Sequence, residues 1–587
     1  MSLPSSVPGV LGNTTLERFD ALVVGSGAGG SAAAYVLTKA GWNVLVLEAG
    51  NNAFPGLDDP RPGNPVPLFS SDELKMGTRL FAGQDPLLEP RTFRSRDTGR
   101  ALPHPDVNTL ARTVGGTAVH ADMKYPRFNE VDFRLATALR EAGREFPGTN
   151  FADWPVSYDE LEPFYLEAEV LSGVSGASSG PEADPYASWR SAPYPLPPNA
   201  PMYVALVLSE GARRSGFHPF VYPAAVNSRP YDGRPACVNC GLCSGYGCPN
   251  NSKGSPAVTT LRKALLTGRC QVRYNAYVRR LLREGAEIRG VEYVDDEGAI
   301  RVASADVYLL AASAIESARL CLLSDPGGPG LGNSSGQVGR NLMFHYETFG
   351  IGIFRQRFHG ERGQAVTHGI SDFRGVDFGG RELLEDRPLG GVVEFGTNSE
   401  AISAAKDALE ALAIARAFRL DVSLKDLLVE SPFRARLAAA SIKAEDAPQL
   451  SNRVDLDPEV RDVYGLPAAR VTYGSHPFEL EASNFYKPRL IEILRHAGAQ
   501  FAFIPPPFSP PRTRHVMGTL RMGDDPRASV CDRYGRFHDF GNLTCVDGSV
   551  FVTSSGYNPT LTILALALRA ASHLVSPGSP ERMLSGR

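Results

Sequence analysis

Two polar residues near the carboxyl end of the chain stand out by type and by neighbours. His515 lies in the stretch RHVMGTLRMG (514–523), among glycines, a threonine and two arginines. Asn558 follows 43 residues later, directly before Pro559. A neutral histidine can take a proton from a hydroxyl group near neutral pH, and an asparagine can hold the oxygen without competing for that proton. The pair therefore predicts a catalytic site that deprotonates an alcohol, with His515 as the base.

The residues around Asn558 also predict the start of a helix. Asparagine is a favoured helix cap and proline suits the first helical position, so the apolar stretch after Asn558 predicts a long helix beginning at Pro559. The N-terminus of such a helix carries a partial positive charge. We expect it to stabilise negative charge that develops beside it.

The elements that must position this pair begin at the other end of the chain. Residues 21–24 predict a short buried strand, residues 31–40 an alanine-rich helix, and residues 44–47 a second apolar strand. The turn between the first strand and the helix is rich in glycine. This order of strand, glycine turn, helix and strand is typical of a dinucleotide-binding unit.

The glycines of that turn fit the spacing G-x-G-x-x-G at Gly25, Gly27 and Gly30. Gly25 permits the tight turn, Gly27 lets a pyrophosphate approach the backbone, and Gly30 lets helix and strand pack closely. The helix N-terminus attracts the phosphates, and Glu48, at the end of the second strand, can accept hydrogen bonds from ribose hydroxyls. The pattern predicts a dinucleotide site and does not separate FAD from NAD.

Length and composition restrict the number of domains, the partners and the location. A chain of 587 residues is too long for one core, so we expect at least two domains. The net charge of −4 does not favour nucleic acid as a partner. No apolar run approaches the roughly 20 residues that span a bilayer, and the first residues do not resemble an export signal. The expected location is therefore cytoplasmic.

Three stretches together resemble the glucose–methanol–choline (GMC) family of FAD-dependent oxidoreductases: the glycine turn, HVMGTLRMG (515–523) and DGSVFVTSSGYNPTLTI (547–563). The resemblance extends over nearly the whole chain, including residues 305–323 and GRNLMFH (339–345). It implies that His515 takes the hydroxyl proton while hydride passes to flavin N5. It also implies that Asn558 is the partner of that base.

The same resemblance implies FAD contacts along the chain. They fall on the glycine turn, the segment RTVGGTAVHADMKYPR (112–127) and the carboxy-terminal motif, at Gly25, Gly27, Ala28, Gly29, Gly30, Glu48, Ala49, Arg112, Gly115, Gly116, Thr117, His120, Val278, Asp547, Gly548, Asn558, Pro559 and Thr560. At the position of His120, some family members carry a histidine bonded to the flavin 8-methyl carbon, and others hold FAD without a bond. A covalent link at His120 therefore stays open.

Two further segments indicate the branch of the family. Residues 153–176 and 452–473 are similar to the branch that oxidises sugars and sugar acids. The expected enzyme oxidises a CH–OH group of a sugar, glycoside or related polyol to a carbonyl. The alternative is an oxidase or dehydrogenase of an aliphatic, aromatic or sterol-like alcohol. Oxygen, a quinone or a cytochrome partner can reoxidise the flavin, so both an oxidase and a large subunit that needs an electron-accepting partner stay open.

The fold implied by the resemblance is α/β. A Rossmann-like FAD-binding domain of the GMC and p-hydroxybenzoate hydroxylase type is joined to a discontinuous α+β substrate-binding domain built on an antiparallel sheet. Because both ends of the chain must meet at one cofactor, we assign residues 1–125, 236–345 and 511–587 to the FAD-binding domain, and residues 126–235 and 346–510 to the substrate-binding domain. Residues 403–447 have helical spacing and no glycine, which predicts an outer helical layer, a lid or a partner surface.

Four of the eight cysteines crowd into one loop, at Cys237, Cys240, Cys243 and Cys248. Thiolates this close can hold an iron–sulfur cluster or zinc. The last gap departs from the bacterial ferredoxin spacing, so reduced structural thiols or a local disulfide are open as well, and a reducing cytoplasm favours metal or free thiols over a disulfide. This loop would lie at the contact if a partner subunit accepted the electrons.

Overall fold

The computed structural model describes residues 18–59, 88–104, 111–360, 362–396, 412–413, 416–421, 423, 425–426, 435–507 and 515–576. Much of the stretch predicted to be helical, residues 403–447, lies outside these residues. The described residues form three β-sheets with helices packed around them.

A seven-stranded sheet carries the glycine turn. Its strands are β1 (Arg18–Val24), β2 (Val44–Leu47), β6 (Cys270–Arg273), β7 (Tyr277–Glu284), β8 (Glu287–Val294), β9 (Ile300–Leu310) and β17 (Leu543–Cys545). Strands β6, β2, β1, β9 and β17 run parallel, and β8 and β7 continue the sheet as antiparallel neighbours. The four residues at the end of β1 and all of β2 are buried, as expected for parallel strands covered on both faces. This confirms the predicted Rossmann-like unit.

Helix α1 (Ala28–Lys39) connects β1 to β2. It begins three residues before the predicted start at residue 31, because Ala28, Gly29 and Gly30 form its first turn. No side chain caps its N-terminus. The amide groups of that first turn are therefore available to a ligand.

A six-stranded antiparallel sheet forms the second layer. Its order is β16 (Phe501–Phe503), β10 (Tyr346–Ile353), β13 (Leu437–Ala444), β12 (Gly391–Gly396), β11 (Val366–Ile370) and β5 (Pro219–Val221). One face packs on α5 (Tyr203–Arg214) and α8 (Pro477–His496), through residues such as Ile442, Val393 and Phe395. This confirms the predicted antiparallel sheet.

Strand β13 corrects one expectation. Residues 437–444 belong to the stretch predicted to be helical, but they pair with β10 along their whole length and with β12 from residue 439 onward. Small alanines at 438 and 440 are buried with Ile442 on the α8 side. Alanine has high helical propensity, but tertiary packing overrides a weak local preference.

A smaller sheet contains β14 (Arg453–Arg461), β15 (Pro467–Thr472), β3 (Arg91–Arg94) and β4 (Leu102–Pro103). It joins segments that the predicted domain division separates, since residues 91–103 were assigned to the FAD-binding domain and residues 453–472 to the other. Every strand of the seven-stranded sheet falls inside the predicted FAD-binding segments, and every strand of the six-stranded sheet falls inside the substrate-binding segments. The boundaries themselves stay a prediction.

The remaining helices are α2 (Glu130–Phe133), α3 (Leu135–Glu141), α4 (Tyr158–Ser172), α6 (Arg262–Leu266), α7 (Ala314–Leu323) and α9 (Thr560–Val575), with short helical turns at Thr117–His120, Ala257–Leu261, Asp372–Arg374 and Gly548–Val550. Helix α9 is buried between α1 and α4. It therefore brings the carboxy-terminal motif against the glycine turn. Within the ranges given above, no helix is both long and apolar enough to cross a membrane.

Candidate active site

The glycine turn leaves one side of its backbone open. Gly25 has φ of 98°, and a Cβ there would overlap the carbonyl oxygen of Ala311. At Gly30 a Cβ would overlap the carbonyl oxygen of Gly25. At Gly27, in contrast, no atom lies within 4 Å of the position that a Cβ would take. That open space adjoins the uncapped end of α1, where the pattern predicts the pyrophosphate.

Glu48 is held in place by the turn itself. Its Oε2 accepts hydrogen bonds from the amide of Ser26 at 3.0 Å and the hydroxyl of Ser26 at 2.6 Å, and its Oε1 accepts one from the amide of Gly50 at 2.8 Å. Burial raises the pKa of Glu48, and these donors oppose that effect. A carboxylate has about four acceptor positions, so one remains for a ribose hydroxyl. Ser26 was missed in the sequence because the glycine motif leaves its position unspecified.

A long cavity runs from this turn to His515. Most residues predicted to contact the cofactor line it: Gly25, Gly27, Ala28, Gly29, Glu48, Ala49, Arg112, Gly116, Thr117, His120, Val278, Asp547, Gly548, Pro559 and Thr560. Gly30, Gly115 and Asn558 are not among the lining residues. Gly115 instead donates its amide to the Ser26 hydroxyl at 3.0 Å, which supports the wall from behind.

Arg112, which lines this cavity, leaves one donor of its guanidinium group unused. Its guanidinium carbon lies 5.4 Å from the centre of the Tyr277 ring, and its Nη2 donates to the Ala49 carbonyl at 3.0 Å. Its Nη1 is buried and has no hydrogen-bond partner among the described residues. Buried donors in native proteins are normally satisfied, and a cationic donor pairs best with an anionic oxygen.

The same end of the cavity holds a charged cluster that sequence reasoning missed. Glu89, Glu316 and Arg319 line it with Tyr277. Arg319 donates to Tyr277 Oη and to Asp462 Oδ2, each at 2.7 Å. Glu316 and Arg319 lie in residues 305–323, which carry the family resemblance, but no local pattern shows which side of α7 faces a ligand.

The segment 112–127 passes directly over the glycine turn. Gly116 has φ of 63°, and a Cβ there would lie 2.9 Å from Cα of Gly27. The following turn places His120, which is buried, on the cavity wall. The His120 carbonyl accepts a hydrogen bond from the Gly245 amide at 2.8 Å, so the cysteine loop supports this segment from outside.

His515 forms a hydrogen-bonded pair with a second histidine. The Nδ1 atoms of His515 and His345 are 2.9 Å apart, and the rings meet edge to face. His345 is fully buried, whereas His515 is partly exposed to the cavity that it lines. Burial lowers the pKa of His345 to about 3. Burial, His345 and two lysines also lower the pKa of His515 well below its usual range, so both rings are neutral at neutral pH.

The hydrogen bonds around His345 assign the proton of each ring. The carbonyl of Ser554, which can only accept, lies 3.4 Å from His345 Nε2. A neutral His345 that carries its proton on Nε2 must accept at Nδ1. His515 therefore donates from Nδ1, and the lone pair of its own ring is on Nε2. That is the tautomer required of a base. His345 is the last residue of the stretch 339–345, which carries the family resemblance, but the resemblance did not indicate a role for it.

Asn558 lies deeper than the sequence suggested. Helix α9 begins at Thr560, and no side chain caps it, so the prediction that Asn558 caps the helix is wrong. Its Oδ1 instead accepts from Tyr222 Oη at 2.5 Å, and its Nδ2 donates to Glu394 Oε1 at 3.1 Å. These partners come from the six-stranded sheet and its edge, far away in sequence. They fix the orientation of the amide from both of its ends.

A buried ion pair supports the loop that carries Asn558. The guanidinium of Arg374 is inaccessible to solvent and pairs with Asp132, whose carboxylate also accepts from the Ser555 hydroxyl at 2.8 Å. The Ser555 amide donates to Glu445 at 3.0 Å. Ser555 has φ of 57°, an uncommon conformation for a residue other than glycine. Loss of these contacts would leave a buried charged group without its partner. The contacts therefore hold the loop in one conformation.

The four thiols of the cysteine loop do not converge on one point. They are free of disulfides, and nowhere in the described parts of the chain, which include this loop, do three His, Cys, Asp or Glu side chains converge to hold a metal ion. Burial raises the pKa of Cys237 and Cys243, whereas metals bind the thiolate. The buried Lys253 donates to the carbonyls of Ala121, Cys243 and Tyr246 at 2.7–2.9 Å. The loop thus clamps the segment that carries His120.

Full-length relatives are known for this chain. It is 30% identical over 582 residues to 2-methyl-1,2-propanediol dehydrogenase from Mycolicibacterium austroafricanum, with 96% of each chain covered. It is 29% identical over 625 residues to the gluconate 2-dehydrogenase flavoprotein from Pantoea cypripedii, covering 97% of this chain and 96% of the relative. Pyridoxine 4-oxidase from Mesorbium loti has the same fold, with a TM-score of 0.62 at 19% identity over 94% of this chain and 98% of that one.

Family models match three segments of the chain, and each segment contributes residues to the cavity. Residues 23–87 match an NAD(P)-binding Rossmann-like domain. Residues 201–347, which include His345, and residues 448–567, which include His515 and Asn558, match the two models for GMC oxidoreductases. The chain belongs to the GMC oxidoreductase family.

Proposed function

We propose that the chain binds FAD in this cavity and oxidises a hydroxyl group of a sugar, glycoside or related polyol to a carbonyl. One observation carries the proposal: His515 lines the same cavity as the glycine turn, and its hydrogen bond to His345 leaves Nε2 as the basic nitrogen. The full-length relative named as a gluconate 2-dehydrogenase supports a polyhydroxylated substrate.

Each part of the site would have its own role. The glycine turn, Glu48 and Arg112 hold the phosphates and ribose, and residues 116–120 with residues 547–548 flank the flavin end. When bound, FAD accepts the hydride that leaves the carbinol carbon. His515 takes the hydroxyl proton, and burial keeps its ring neutral until then. The covalent link at His120 stays a prediction.

Asn558 holds the reacting oxygen. Its amide uses Oδ1 for Tyr222 and one N–H for Glu394, so its second N–H is left for the substrate. An asparagine neither takes nor gives a proton near neutral pH. The proton therefore has one destination, His515.

The alternative substrate class is a non-sugar alcohol. The relative named as a 2-methyl-1,2-propanediol dehydrogenase, which is 30% identical over nearly the full length, favours it. A diol of that size would engage His515 and Asn558 with one hydroxyl, as a sugar does. A sugar would form hydrogen bonds to further polar groups of the site through its other hydroxyls, whereas a small diol would leave those groups unused.

Activity coupled to an artificial dye distinguishes the two candidates. We expect turnover with hexitols, hexoses and methyl glycosides, and a kcat/KM for small aliphatic diols that is lower by about tenfold or more, since each unused hydrogen bond leaves a buried polar group unpaired. Identification of the carbonyl product shows which carbon reacts. A preference for the aliphatic diols would overturn the sugar assignment while leaving the base and the cofactor in place. Comparing dye with oxygen shows whether oxygen serves as the electron acceptor.

The role of His345 makes a separate prediction. Changing His345→Leu removes the acceptor for the His515 Nδ1–H, and we expect flavin reduction to slow roughly ten- to hundredfold, the effect of losing one hydrogen bond to a group that becomes charged. His345→Asn places an amide oxygen near the position of Nδ1 and should restore much of the rate. Stopped-flow reduction with a polyol measures both. Equal rates for the Leu and Asn variants would show that His345 only fills space.

A further inference from the structure

We propose that the turn between β14 and β15 (residues 462–466) closes the adenosine end of the cofactor cavity, with Asp462 as the positioning residue that holds Arg319 and Tyr277 for a bound adenine ring. The proposal rests on the proposed function, because it takes FAD as the cofactor. The turn belongs to a segment that the predicted division assigned to the substrate-binding domain. The cofactor would therefore be held from both domains.

The position of Glu48 indicates which part of the cavity would hold the base. In dinucleotide sites the acid at the end of the second strand binds the adenosine ribose, to which adenine is joined directly. The Glu48 carbonyl accepts a hydrogen bond from the Ala276 amide at 2.9 Å, so Tyr277, the first residue of β7, lies close to the ribose position. Tyr277 lines the cavity together with Glu316 and Arg319 of α7. This part of the wall is the one within reach of the base.

The side chains of this wall suit a purine. Tyr277 supplies an aromatic surface, and Leu320 and Leu323 of α7 supply apolar surface. Glu316 can accept a hydrogen bond from an amino group, and Arg319 can donate one to a ring nitrogen. Adenine has a flat ring, an exocyclic amine and accepting ring nitrogens, whereas uracil is smaller and has a carbonyl oxygen in place of the amine. The wall is therefore expected to prefer adenine.

The turn reaches this wall through the buried carboxylate of Asp462. Its Oδ2 accepts from Arg319 Nη2 at 2.7 Å and from Tyr277 Oη at 3.2 Å. Arg319 Nη1 also donates to Tyr277 Oη at 2.7 Å, which joins the three side chains to one another. Tyr464 of the same turn stacks on Tyr277, with ring centres 4.5 Å apart. The ring and the guanidinium on the cavity wall are thus both held by the turn.

Arg319 retains one N–H group for a ligand. Its guanidinium donates to Glu316, to the Pro467 carbonyl, to Tyr277 and to Asp462, and these bonds use all but one of its N–H groups. Because the guanidinium is planar, its other bonds fix the direction of that last N–H. Loss of the Asp462 acceptor would release the group on one side and leave a buried cation with fewer partners.

The two oxygens of Asp462 have different partners, so one substitution can separate them. Oδ1 accepts from the amides of Tyr464 and Leu466, each at 2.9 Å, whereas Oδ2 serves Arg319 and Tyr277. Asp462→Asn keeps an acceptor for the amides of the turn and replaces the other oxygen with a donor, which Arg319 cannot use. We expect the turn to stay folded while the wall loses its support.

Asp457 of β14 provides the matched control. Its Oδ1 also accepts from two backbone amides, those of Glu459 and Val460, each at 2.9 Å, and its Oδ2 accepts from the Thr92 hydroxyl at 2.7 Å. It is buried like Asp462, but neither Asp457 nor Thr92 is among the residues that line the cavity. Asp457→Asn therefore makes the same chemical change in the same sheet without altering the wall.

Two measurements test the proposal. Release of FAD from the diluted holoenzyme, followed by flavin fluorescence, should be about tenfold faster in Asp462→Asn than in the wild type, the effect of one lost hydrogen bond to a charged group. Calorimetric titration of the flavin-free full chain compares ADP with uridine diphosphate, which differ only in the base. The wild type should bind ADP at least about tenfold more tightly, and Asp462→Asn should lose most of that preference. Asp457→Asn should match the wild type in both measurements.

A second variant tests the same contact with less risk to the turn. Tyr277→Phe keeps the ring and its stacking on Tyr464 but removes the hydroxyl between Arg319 and Asp462. Its affinity for ADP should fall severalfold, and that for uridine diphosphate should change less.

The outcomes separate this inference from the proposed function. Equal wild-type affinities for ADP and uridine diphosphate would show that the wall does not select adenine. A wild-type preference for ADP in both Asp462→Asn and Tyr277→Phe, or equal losses in Asp462→Asn and Asp457→Asn, would remove Asp462 from the positioning role. Each of these results would overturn the inference and leave the proposed function intact. Failure of the wild-type chain to bind FAD would overturn the proposed function itself.

Discussion

Replacing His515 with alanine should slow flavin reduction by two to four orders of magnitude, the range that positioned general bases contribute. His515 is the histidine on the cavity wall whose ring is neutral, oriented by His345 and partly exposed to a bound substrate. Binding of FAD should persist, because the glycine turn and Glu48 do not depend on this side chain. Rapid mixing with a reducing polyol under anaerobic conditions measures the rate directly.

The matched control for this experiment is His496, which is exposed at the end of α8 and contacts Ser215. His496→Ala should reduce its flavin at the wild-type rate. Near-normal reduction by His515→Ala would remove His515 from the role of base. A loss of rate in both variants would point to damage that does not depend on the site.

The second large effect concerns the open side of the glycine turn. Gly27→Val places its Cβ where no atom from elsewhere in the described chain lies within 4 Å and where φ is negative, so the backbone accommodates that carbon. The added methyl groups occupy the space in which the pyrophosphate approaches the backbone. We expect the affinity for FAD to fall roughly a hundredfold, since one or two hydrogen bonds to a charged phosphate are lost.

Gly541→Val is the control, because Gly541 is exposed and a Cβ there also meets no atom within 4 Å. The ratio of visible to ultraviolet absorbance of the purified proteins gives their FAD content, and circular dichroism shows that they are folded. Full FAD content in folded Gly27→Val would contradict the placement of the pyrophosphate at this turn.

The local parts of the fold could be predicted from the sequence. Residues 44–47 form the expected strand and residues 21–24 end another, because a parallel strand buried on both faces reads as an unbroken apolar run. The glycine spacing could also be recognised, since Gly25 and Gly30 have no room for a side chain and Gly27 leaves its backbone open to a ligand. Such signals depend on a few adjacent positions, so a single sequence contains them in full.

The partners of the catalytic pair could not be predicted in the same way. His345, Tyr222 and Glu394 reach His515 and Asn558 across 164–336 residues of chain. Nothing in their local sequence records that contact, because it is created by the packing of the six-stranded sheet against the cavity. The error at β13 has a related origin: its alanines favour a helix locally, and pairing with β10 and β12 decides otherwise.

The visible spectrum of the purified protein, recorded anaerobically before and after addition of D-glucitol and methyl glycosides, tests the central claim most directly. If the glycine turn, His515 and Asn558 meet around one FAD that a polyol reduces, a yellow band will be present and will bleach when the polyol is added. A yellow band that none of these compounds bleaches would contradict the polyol substrate. Folded protein without a yellow band would contradict the account of the cavity itself.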